Sequence, residues 1–311
     1  MQIIDLKTFN KIAELPYGCA IAFGFFDGVH IGHKRLIDTA RSTSGSAPVA
    51  TWTFEDMPKL PRGAKLTTNY EKCIALAECG SDYVIFEDFS SVCALQGRDF
   101  FEERIARLLS PAAVVCGYNF RFGERASCGA DDLQKFAAER GIACSVVPEV
   151  KSDGNPVSSS VIRDLIRSGD MLSATHILGR PYSLTSSVEP GRQIGTKIGH
   201  PTANLRFPED KLIPPRGVYS CTVKNADEGW LKCGVCNIGS RPTVNSNIED
   251  VTLEVYLFDH DSDIYGHSIT VSLIEMLRRE TKFDSLDELS AQIARDAENA
   301  KISLKKEGYT L

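Results

Sequence analysis

The pattern of apolar and polar positions divides the chain into two regions. In the first, short apolar runs alternate with segments in which apolar residues recur every three or four positions. The runs predict buried strands at 19–25, 48–54, 82–86, 112–116 and 143–147. The spaced segments predict helices at 32–41, 70–79, 99–109 and 131–140, with shorter helices at 158–168 and 171–178. This alternation is typical of an α/β domain with a parallel sheet covered by helices.

The pattern changes after Arg180 and Pro181. Strand-like runs then recur with little helix between them, at 182–189, 217–223, 230–237, 252–258 and 268–273. Turns rich in Gly, Pro, Asn and Asp separate the runs, so we expect a small antiparallel β-barrel or sandwich. A last amphipathic segment, from residue 285 to about residue 301, predicts a helix that plugs or flanks the barrel. A chain of 311 residues suits two domains, which we place at 1–180 and 181–311.

Composition and charge exclude several classes of protein. The hydrophobic fraction of 42% and the charged fraction of 24% are those of an ordinary globular protein. The net charge of −6 argues against broad binding to nucleic acid or to an anionic membrane, because both need a basic surface. No apolar run reaches the roughly 20 residues of a membrane-spanning helix. Residues 1–11 lack the pattern of a signal peptide, and the ten cysteines lie mostly inside apolar runs. We therefore expect a cytoplasmic location, and self-association is compatible with the sequence.

The turn after the first long apolar run carries the strongest candidate chemistry. From Gly24 it reads Gly-Phe-Phe-Asp-Gly-Val-His-Ile-Gly-His, with His30, Gly32 and His33 at the start of a predicted helix. A helix N-terminus offers N–H groups to phosphate, and two imidazoles can donate hydrogen bonds as charge builds on it. Gly32 lets the backbone approach a nucleotide closely. The alternative interpretation is a capped turn with structural histidines.

Two other segments are candidates for the same site. Ser158, Ser159 and Arg163 begin a predicted helix, and their hydroxyl, amide and guanidinium groups suit a polyphosphate. A well-capped helix is the alternative interpretation of this segment.

Asn119 and Arg121 follow the strand predicted at 112–116. Because the carboxyl ends of parallel strands share one edge of the sheet, these residues are expected on the same edge as His30. An ordinary surface loop is the alternative here.

A second candidate site lies in the strand-rich region. The sequence Pro-Thr-Ala-Asn at 201–204 follows a glycine-punctuated stretch that ends with Gly199 and His200. Thr202 and Asn204 alternate along an extended chain, so their oxygens share a face and suit Mg²⁺ bound to ATP. Taken alone, the tetrapeptide also fits a turn that leads into a strand. Glu254 lies within an apolar strand, and periodicity indicates that it is a solvated residue on the outer face. If it instead faces the barrel interior beside Thr202 and Asn204, it becomes a candidate general base.

The order of motifs along nearly the whole chain resembles the prokaryotic bifunctional riboflavin kinase/FAD synthetase family. That family joins an HxGH nucleotidyltransferase domain to a six-stranded riboflavin kinase barrel. The resemblance rests on the motifs at 24–33, 66–68, 119–123, 158–163, 178–182, 201–204, 215–219, 234–243, 253–255 and 282–286. No single motif is decisive, but the ordered series is specific.

The resemblance implies two consecutive reactions. ATP phosphorylates riboflavin to FMN, and a second ATP adenylylates FMN to FAD with release of pyrophosphate. The implied catalytic residues are Glu254 as general base of the kinase, with His30 and His33 stabilising the adenylyl-transfer transition state. The implied ligands of Mg²⁺ and ATP are Thr202 and Asn204. The implied nucleotide and phosphate contacts are Gly24, Phe25, Asp27, Gly32, Asn119, Arg121, Ser158, Ser159, Arg163, Gly199 and Pro201. The implied flavin contacts are Asn237, Arg278, Glu280 and Phe283.

The sequence departs from the family pattern at several places, among them Ser160, which replaces a threonine and keeps the hydroxyl. Met57 stands where the family has a histidine before Pro58, and Thr196 stands where it has an arginine, although Lys197 can supply the charge. Two alternatives to the two-step enzyme stay open: only the kinase half is active, or the chain is a non-catalytic flavin-binding regulator. His-Ile-Gly-His also occurs in class I aminoacyl-tRNA synthetases, whose lysine-rich loop and tRNA-binding domain are not apparent here.

Overall fold

The chain divides by packing into two units. The structure, a computed structural model, describes residues 1–6, 18–56, 60–190, 201–241, 250–260 and 262–311. The first unit contains Met1–Pro61 and Thr67–Ser159, and the second contains Arg62–Leu66 and Ser160–Leu311. The short segment Arg62–Leu66 thus packs with the second unit, although it lies within the first in sequence.

A parallel sheet forms the centre of the first unit. The strands of this unit are β1 (Gln2–Asp5), β2 (Ala20–Phe23), β3 (Val49–Phe54), β4 (Tyr83–Glu87), β5 (Ala113–Gly117), β6 (Arg121–Phe122), β7 (Cys128–Gly129), β8 (Ala143–Val147), β9 (Lys151–Ser152) and β10 (Asn155–Pro156). Six of them form the sheet in the order β1-β4-β3-β2-β5-β8, with every pairing parallel. The two pairs β6–β7 and β9–β10 are short and antiparallel.

Helices cover both faces of this sheet. They are α1 (Ile31–Ser44), α2 (Asn69–Glu78), α3 (Phe89–Val92), α4 (Gly97–Phe100), which continues as the π-helix Phe101–Leu109, and α5 (Ala130–Glu139). Side chains alternate along the strands, so each face has its own apolar cluster. Ile37 of α1 and Leu76 of α2 pack on one face, and Ile105 of the π-helix and Leu133 of α5 pack on the other.

An antiparallel sheet forms the second unit. After α6 (Ser159–Ser168) and α7 (Met171–Leu178) come β11 (Tyr182–Ser187), β12 (Ala203–Arg206), β13 (Gly217–Asn225), β14 (Trp230–Arg241), β15 (Asp250–Leu257), β16 (Ser268–Arg279) and α8 (Leu286–Lys306). The strand order is β11-β16-β13-β14-β15-β12. Just beyond β11, the N–H of Glu189 donates to the carbonyl of Asn204 in β12 at 2.8 Å. This contact links the two outermost strands, so the sheet forms a nearly closed barrel with an apolar interior.

Helix α8 lies against the outer face of the barrel. Ala297, Ala300 and Leu304 pack with Val218 and Val235, whose side chains point out of the barrel. The Nε–H and Nη2–H groups of Arg278 in β16 donate to the carboxylate of Asp296 in α8 at 2.9 and 2.7 Å. The helix therefore flanks the barrel, which was one of the two expected arrangements.

Main-chain pairing explains why Arg62–Leu66 packs with the second unit. The N–H of Lys65 donates to the carbonyl of Asp210, and the N–H of Leu212 donates to the carbonyl of Lys65, both at 2.8 Å. The ammonium group of Lys211, which is buried, donates to the carbonyl of Leu66 at 3.0 Å. Leu66 itself is 1% exposed and belongs to the apolar cluster of the barrel.

The predicted fold class is confirmed: a helix-covered parallel sheet precedes an antiparallel six-stranded barrel and a C-terminal helix. The structure adds β1, which the sequence pattern did not predict, and extends the last helix to Lys306. The functional boundary at residue 180 stays a prediction. Among the helices of the described residues, none is both long enough and apolar enough to cross a lipid bilayer.

The ion pair between Arg278 and Asp296 generates a prediction about stability. Asp296 is 5% exposed and Arg278 is 24% exposed, so removing the carboxylate leaves a partly buried cation without its partner. We expect Asp296→Ala to lower the free energy of unfolding of the second unit by about 2 kcal/mol. Glu298→Ala is the matched control, because its partner Lys301 lies on the same helix in an exposed pair. Calorimetric unfolding of both variants measures the difference; equal unfolding midpoints would contradict this role.

Candidate active sites of the two units

The turn between β2 and α1 holds three residues in the left-handed region of backbone conformation. The φ angles are 51° at Phe26, 81° at Gly28 and 43° at Val29. This conformation is ordinary for glycine and unfavourable for a bulky or β-branched residue. Phe26 and Val29 are nonetheless fixed there, with both side chains fully buried in the core. Strain of this kind persists only where the surroundings hold it, and it is concentrated at functional sites.

His30 and His33 form a stacked pair at the start of α1. Their ring centroids are 3.6 Å apart, and the rings are within 15° of parallel. The N–H of each residue donates to the Nδ1 atom of the other at 3.3 Å. Because both Nδ1 atoms accept, the proton of each neutral imidazole is on Nε2. In this tautomer each ring carries its N–H at Nε2, and both rings lie at a helix N-terminus, where the helix dipole favours an anion.

Gly32 leaves the space that this histidine arrangement needs. A Cβ atom at Gly32 would lie 3.1 Å from two ring atoms of His30. This is tighter than an ordinary van der Waals contact, so a larger residue would push the ring away. The predicted role of Gly32 as a close approach point for nucleotide stays a prediction, and the structure adds a packing reason for glycine here.

Asp27 is buried within the turn. Its exposed fraction is 2%, and its Oδ1 atom accepts the N–H of Thr67 at 3.3 Å. Its backbone carbonyl accepts the hydroxyl of Ser159 at 2.9 Å. The structure thus brings two of the predicted site residues, Asp27 and Ser159, into direct contact. Asp27 organises the turn, and its contact with nucleotide stays a prediction.

The strand order places two loops at one point of the sheet edge. Chain order reverses between the neighbouring strands β2 and β5, and ligands of such sheets bind at the carboxyl ends beside the reversal. Gly24 and Phe25 follow β2, and Asn119 and Arg121 follow β5, as expected from the sequence. Phe25, Asn119 and Arg121 are exposed at this edge.

The first turn of α6 carries the remaining predicted phosphate contacts. Ser158 and Ser159 are half-buried, and Ser159 reaches the turn as described above. Arg163 is buried, and its Nε–H donates to the carbonyl of Ala64 at 2.8 Å within the second unit. At least one donor of Arg163 is thus used in packing, and its phosphate-binding role stays a prediction.

A row of polar side chains crosses three strands of the barrel. Asn204 of β12 lies directly opposite Glu254 of β15, and Glu254 lies directly opposite Asn237 of β14. Residues opposite one another across antiparallel strands have Cβ atoms about 4.5–5.5 Å apart and share a face of the sheet. The structure therefore brings together a predicted metal ligand, the predicted general base and a predicted flavin contact.

This row lies on the outer face of the barrel, so Glu254 points outward, as periodicity predicted, and the alternative that it faces the interior is not observed. The residues on either side of Glu254, Leu253 and Val255, are fully buried in the interior cluster. Side chains alternate along a strand, so Glu254 points the opposite way. The interior is packed with apolar groups, where a carboxylate would have no hydrogen-bond partners to offset its desolvation. The expected proximity of Glu254 and Asn204 is obtained on the outer face instead.

The start of β12 offers oxygen ligands to a divalent cation. Thr202 is half-buried, and its carbonyl accepts the Nδ2–H of Asn204 at 3.4 Å. Hydroxyl, amide and carboxylate oxygens from Thr202, Asn204 and Glu254 are the donors that Mg²⁺ prefers, so the residues fit this ion. Pro201 is exposed beside them. Gly199, like Met57 and Thr196, lies outside the described residues.

The predicted flavin contacts form two pairs. Asn237 and Glu280 both lie against Gly239, where a Cβ atom would be 2.9 Å from Nδ2 of Asn237 and 3.1 Å from Oε1 of Glu280. Gly239 therefore leaves room for both polar groups beside the row. The guanidinium of Arg278 lies 5.7 Å from the ring of Phe283, and the same guanidinium binds Asp296. Arg278 thus has a structural partner that the sequence did not reveal.

The sequence reasoning missed an acidic cleft at the carboxyl ends of β3 and β4. Glu55, Asp56, Glu87 and Asp88 line it together with Phe89. Glu87 is 3% exposed; its Oε1 atom accepts the hydroxyl of Ser91 at 2.8 Å, whereas its Oε2 atom has no hydrogen-bond partner. Burial raises the pKa of the Glu87 carboxyl above its usual range, against the opposing effect of the Ser91 hydrogen bond. Acidic residues after two adjacent strands were the only sequence signal for this cleft.

Both units match known protein families. The family described as FAD synthetase matches residues 12–161, and the family described as riboflavin kinase matches residues 178–304. The bifunctional riboflavin kinase/FMN adenylyltransferase of Escherichia coli strain K12 is 35% identical over 302 residues, which cover 94% of this chain and 95% of the relative. This chain belongs to the bifunctional riboflavin kinase/FMN adenylyltransferase family.

Other members of the family and a solved structure extend the match. The proteins of the same name from Haemophilus influenzae and Bacillus subtilis are 33% and 32% identical, with 97% and 94% of this chain covered and 98% and 94% of the relatives. A crystal structure described as a macrolide-efflux protein from Streptococcus pneumoniae is 27% identical, with a TM-score of 0.84. That match covers 96% of this chain and 98% of the other, so the two chains share their fold over nearly their full length.

The buried carboxyl of Glu87 generates a prediction about pH dependence. Because its pKa is raised in the folded state, the folded protein keeps a proton that the unfolded chain loses, and stability falls as pH rises through this interval. We expect Glu87→Gln to raise the unfolding temperature at pH 7, since the amide avoids the desolvated charge. The gain should vanish below about pH 4, where the Glu87 carboxyl is protonated in both the folded and the unfolded protein.

Glu139→Gln is the control of opposite sign. The hydrogen bond from Arg98 lowers the pKa of the Glu139 carboxyl, so removing this charge should slightly reduce stability at pH 7. Thermal unfolding of both variants from pH 4 to pH 7 measures the two trends. A Glu87→Gln variant that is less stable than wild type at pH 7 would show that the Glu87 carboxylate is net stabilising.

Proposed function

We propose that this protein phosphorylates riboflavin to FMN and then adenylylates FMN to FAD, using one ATP in each step. The observation that carries the proposal is that both family matches coincide with a site built from suitable groups. The FAD synthetase match contains the stacked pair of His30 and His33, and the riboflavin kinase match contains the row of Asn204, Glu254 and Asn237.

In the kinase step, Glu254 is the general base. Its carboxylate accepts the proton of the riboflavin 5′-hydroxyl while that oxygen attacks the γ-phosphorus of ATP, and ADP leaves. The half-buried position of Glu254 beside Asn204 supports this role, because the base then lies next to a ligand of the phosphate-bound cation. Asn237 and Glu280 lie close to the other side of Glu254 and contact the flavin, with Arg278 and Phe283 near the end of β16.

Both reactions of this family use ATP with a divalent metal ion. We infer that the ion in the kinase half is Mg²⁺, held by Thr202 and Asn204. When bound, it neutralises charge on the phosphates of ATP. Asn204 holds its own amide in place through the hydrogen bond to the Thr202 carbonyl, which supports a fixed ligand geometry. Pro201 and Gly199 belong to the same ATP-binding segment.

In the adenylyl-transfer step, a phosphate oxygen of FMN attacks the α-phosphorus of ATP, and pyrophosphate leaves. The Nε2–H groups of His30 and His33 donate hydrogen bonds to phosphate oxygens as negative charge builds in the transition state. Reciprocal hydrogen bonding at both Nδ1 atoms supports this role, because it fixes the tautomer and the ring positions. Residues of the surrounding loops and of α6 hold the nucleotide and its phosphates: Gly24, Phe25, Asp27, Gly32, Asn119, Arg121, Ser158, Ser159 and Arg163.

We place the adenylyltransferase in residues 1–180 and the riboflavin kinase in residues 181–311. The family matches at 12–161 and 178–304 support this division. The ligands are ATP, riboflavin, FMN and FAD, and the net charge of −6 supports the absence of nucleic acid and membrane among the partners. We infer that the protein acts in the cytoplasm, which the scattered, free cysteines support. Self-association is compatible with this function.

Glu254→Gln tests the kinase assignment. The amide keeps the shape of the side chain but cannot accept the proton, so we expect kcat for FMN formation from riboflavin to fall by about 10² or more. FAD formation from supplied FMN should be unchanged in the same protein. Chromatographic separation of riboflavin, FMN and FAD measures both reactions; unchanged FMN formation would exclude Glu254 as the base.

His33→Asn tests the adenylyltransferase assignment. Asparagine can place an oxygen near the position of Nδ1 and so keep the contact with the N–H of His30, but it lacks the Nε2–H donor. We expect kcat for FAD formation from FMN to fall by about 10² or more. FMN formation from riboflavin should stay at the wild-type rate.

The two variants are controls for each other, and wild type decides between the alternatives. A wild-type protein that stops at FMN supports an active kinase half alone. A wild-type protein that binds riboflavin without turnover supports the non-catalytic regulator. Loss of both activities in either single variant would indicate misfolding and contradict the assignment of separate sites.

A further inference from the structure

We infer that Thr67 is a positioning residue for adenylyl transfer, which holds the turn that presents His30 and His33. The inference rests on the proposed function of the first unit. Thr67 is 6% exposed and lies one residue before the cap of α2. Its side chain and its backbone both contact the turn, and neither group has a role in the chemistry proposed above.

Thr67 contacts two consecutive residues of the turn. Its Oγ1 atom accepts the N–H of Gly28 at 3.2 Å. Its own N–H donates to Oδ1 of Asp27 at 3.3 Å. Both contacts join residues about 40 positions apart in the sequence, so they fix the turn relative to another part of the unit. The two contacted residues, Asp27 and Gly28, directly precede Val29, the strained β-branched residue with a φ angle of 43°.

Thr67 is itself held in place by the start of α2. The Oγ1 atom of Thr68 accepts the N–H of Glu71 at 3.2 Å, and a carboxylate oxygen of Glu71 accepts the N–H of Thr68 at 2.9 Å. This reciprocal cap fixes the backbone on the C-terminal side of Thr67. A rigid support of this kind can keep a neighbouring turn in an unfavourable conformation.

The position of the imidazole pair depends on the conformation of this turn. His30 is only two residues beyond Gly28, and it caps the helix from which His33 projects. If the turn relaxed from its left-handed conformation, both rings would move relative to the bound phosphates. A displacement of about 1 Å at reacting groups can reduce the rate by about 10². Thr67 therefore acts through His30 and His33, without touching the substrate.

The test compares two changes at Thr67. Thr67→Val removes the hydroxyl and keeps the shape, and Thr67→Ser keeps the hydroxyl and removes the methyl group. We expect Thr67→Val to lower kcat for FAD formation from FMN by about tenfold or more, with KM for ATP within about twofold of wild type. We expect Thr67→Ser to recover most of the rate. FMN formation from riboflavin, measured in the same samples, should be unchanged in both variants.

Thr51→Val is the matched control for the loss of a buried hydroxyl. Thr51 lies in β3 of the same unit, is fully buried, and pairs with the hydroxyl of Ser81 at 3.1 Å, away from the turn. Thr67→Ala is a second variant without the hydroxyl, which avoids any crowding by the valine methyl group. Thermal unfolding of all four proteins shows which of them are folded at the assay temperature.

The outcomes are distinct. Folded Thr67→Val and Thr67→Ala proteins with reduced kcat, rescue by serine and a normal Thr51→Val protein support the inference. Equal rates in Thr67→Val and Thr51→Val overturn it, as does a serine variant that is as slow as the valine variant. If wild type forms FAD and Thr67→Val forms it at the same rate, this inference is overturned but the proposed function is not. A wild-type protein that forms no FAD overturns the proposed function as well.

Discussion

Main-chain hydrogen bonding between strands is the constraint that places the candidate catalytic groups of this protein. In the first unit, the parallel pairing of β2 with β5 puts the histidine turn beside the loop that carries Asn119. In the second unit, the antiparallel register puts Asn204, Glu254 and Asn237 opposite one another. If β12 or β14 were shifted by one residue against β15, Asn204 or Asn237 would point to the opposite face of the sheet, away from Glu254.

Desolvation limits where a polar group without a partner can lie in either unit. The polar row lies on the outer face of the barrel and not in its apolar interior. On the outer face, solvent and ligands can compensate the charge of Glu254. In the histidine pair, each Nδ1 atom accepts a backbone N–H group, which fixes the ring positions. Glu87 is one of several buried charged residues, and burial raises the pKa of its carboxyl. It lies in the acidic cleft rather than among the groups assigned to catalysis.

The sequence predicted most of the secondary structure, because periodicity is a local property of the chain. The helix observed at Met171–Leu178 coincides with the predicted one, and the five predicted strands of the parallel sheet are present. Strand β1 was missed because four residues are too few for a pattern, and its partner β4 lies about 80 residues away. Periodicity predicted the outward orientation of Glu254, whereas its position beside Asn204 and Asn237 depends on strand register and could not be predicted.

Contacts between distant residues were the part of the site that sequence could not predict. Leu66, Thr67 and Thr68 stand in the sequence only as one member of the ordered series of motifs. That Thr67 contacts Asp27 and Gly28 follows from the fold, since no local pattern connects positions 40 residues apart. In the same way, Arg278 was assigned to flavin on resemblance alone, whereas its ion pair with Asp296 depends on how α8 packs.

The packing of Arg62–Leu66 has a consequence for any attempt to divide this protein into fragments. A single cut near residue 180 leaves this segment attached to the N-terminal piece, while its pairing partners around Lys211 remain in the other. The N-terminal fragment would then carry Leu66 without the apolar cluster that buries it. The C-terminal fragment would carry the carbonyl of Asp210 and the N–H of Leu212 without their partners. Although the two family matches follow one another along the sequence, a cut near residue 180 would therefore separate this segment from the residues with which it pairs.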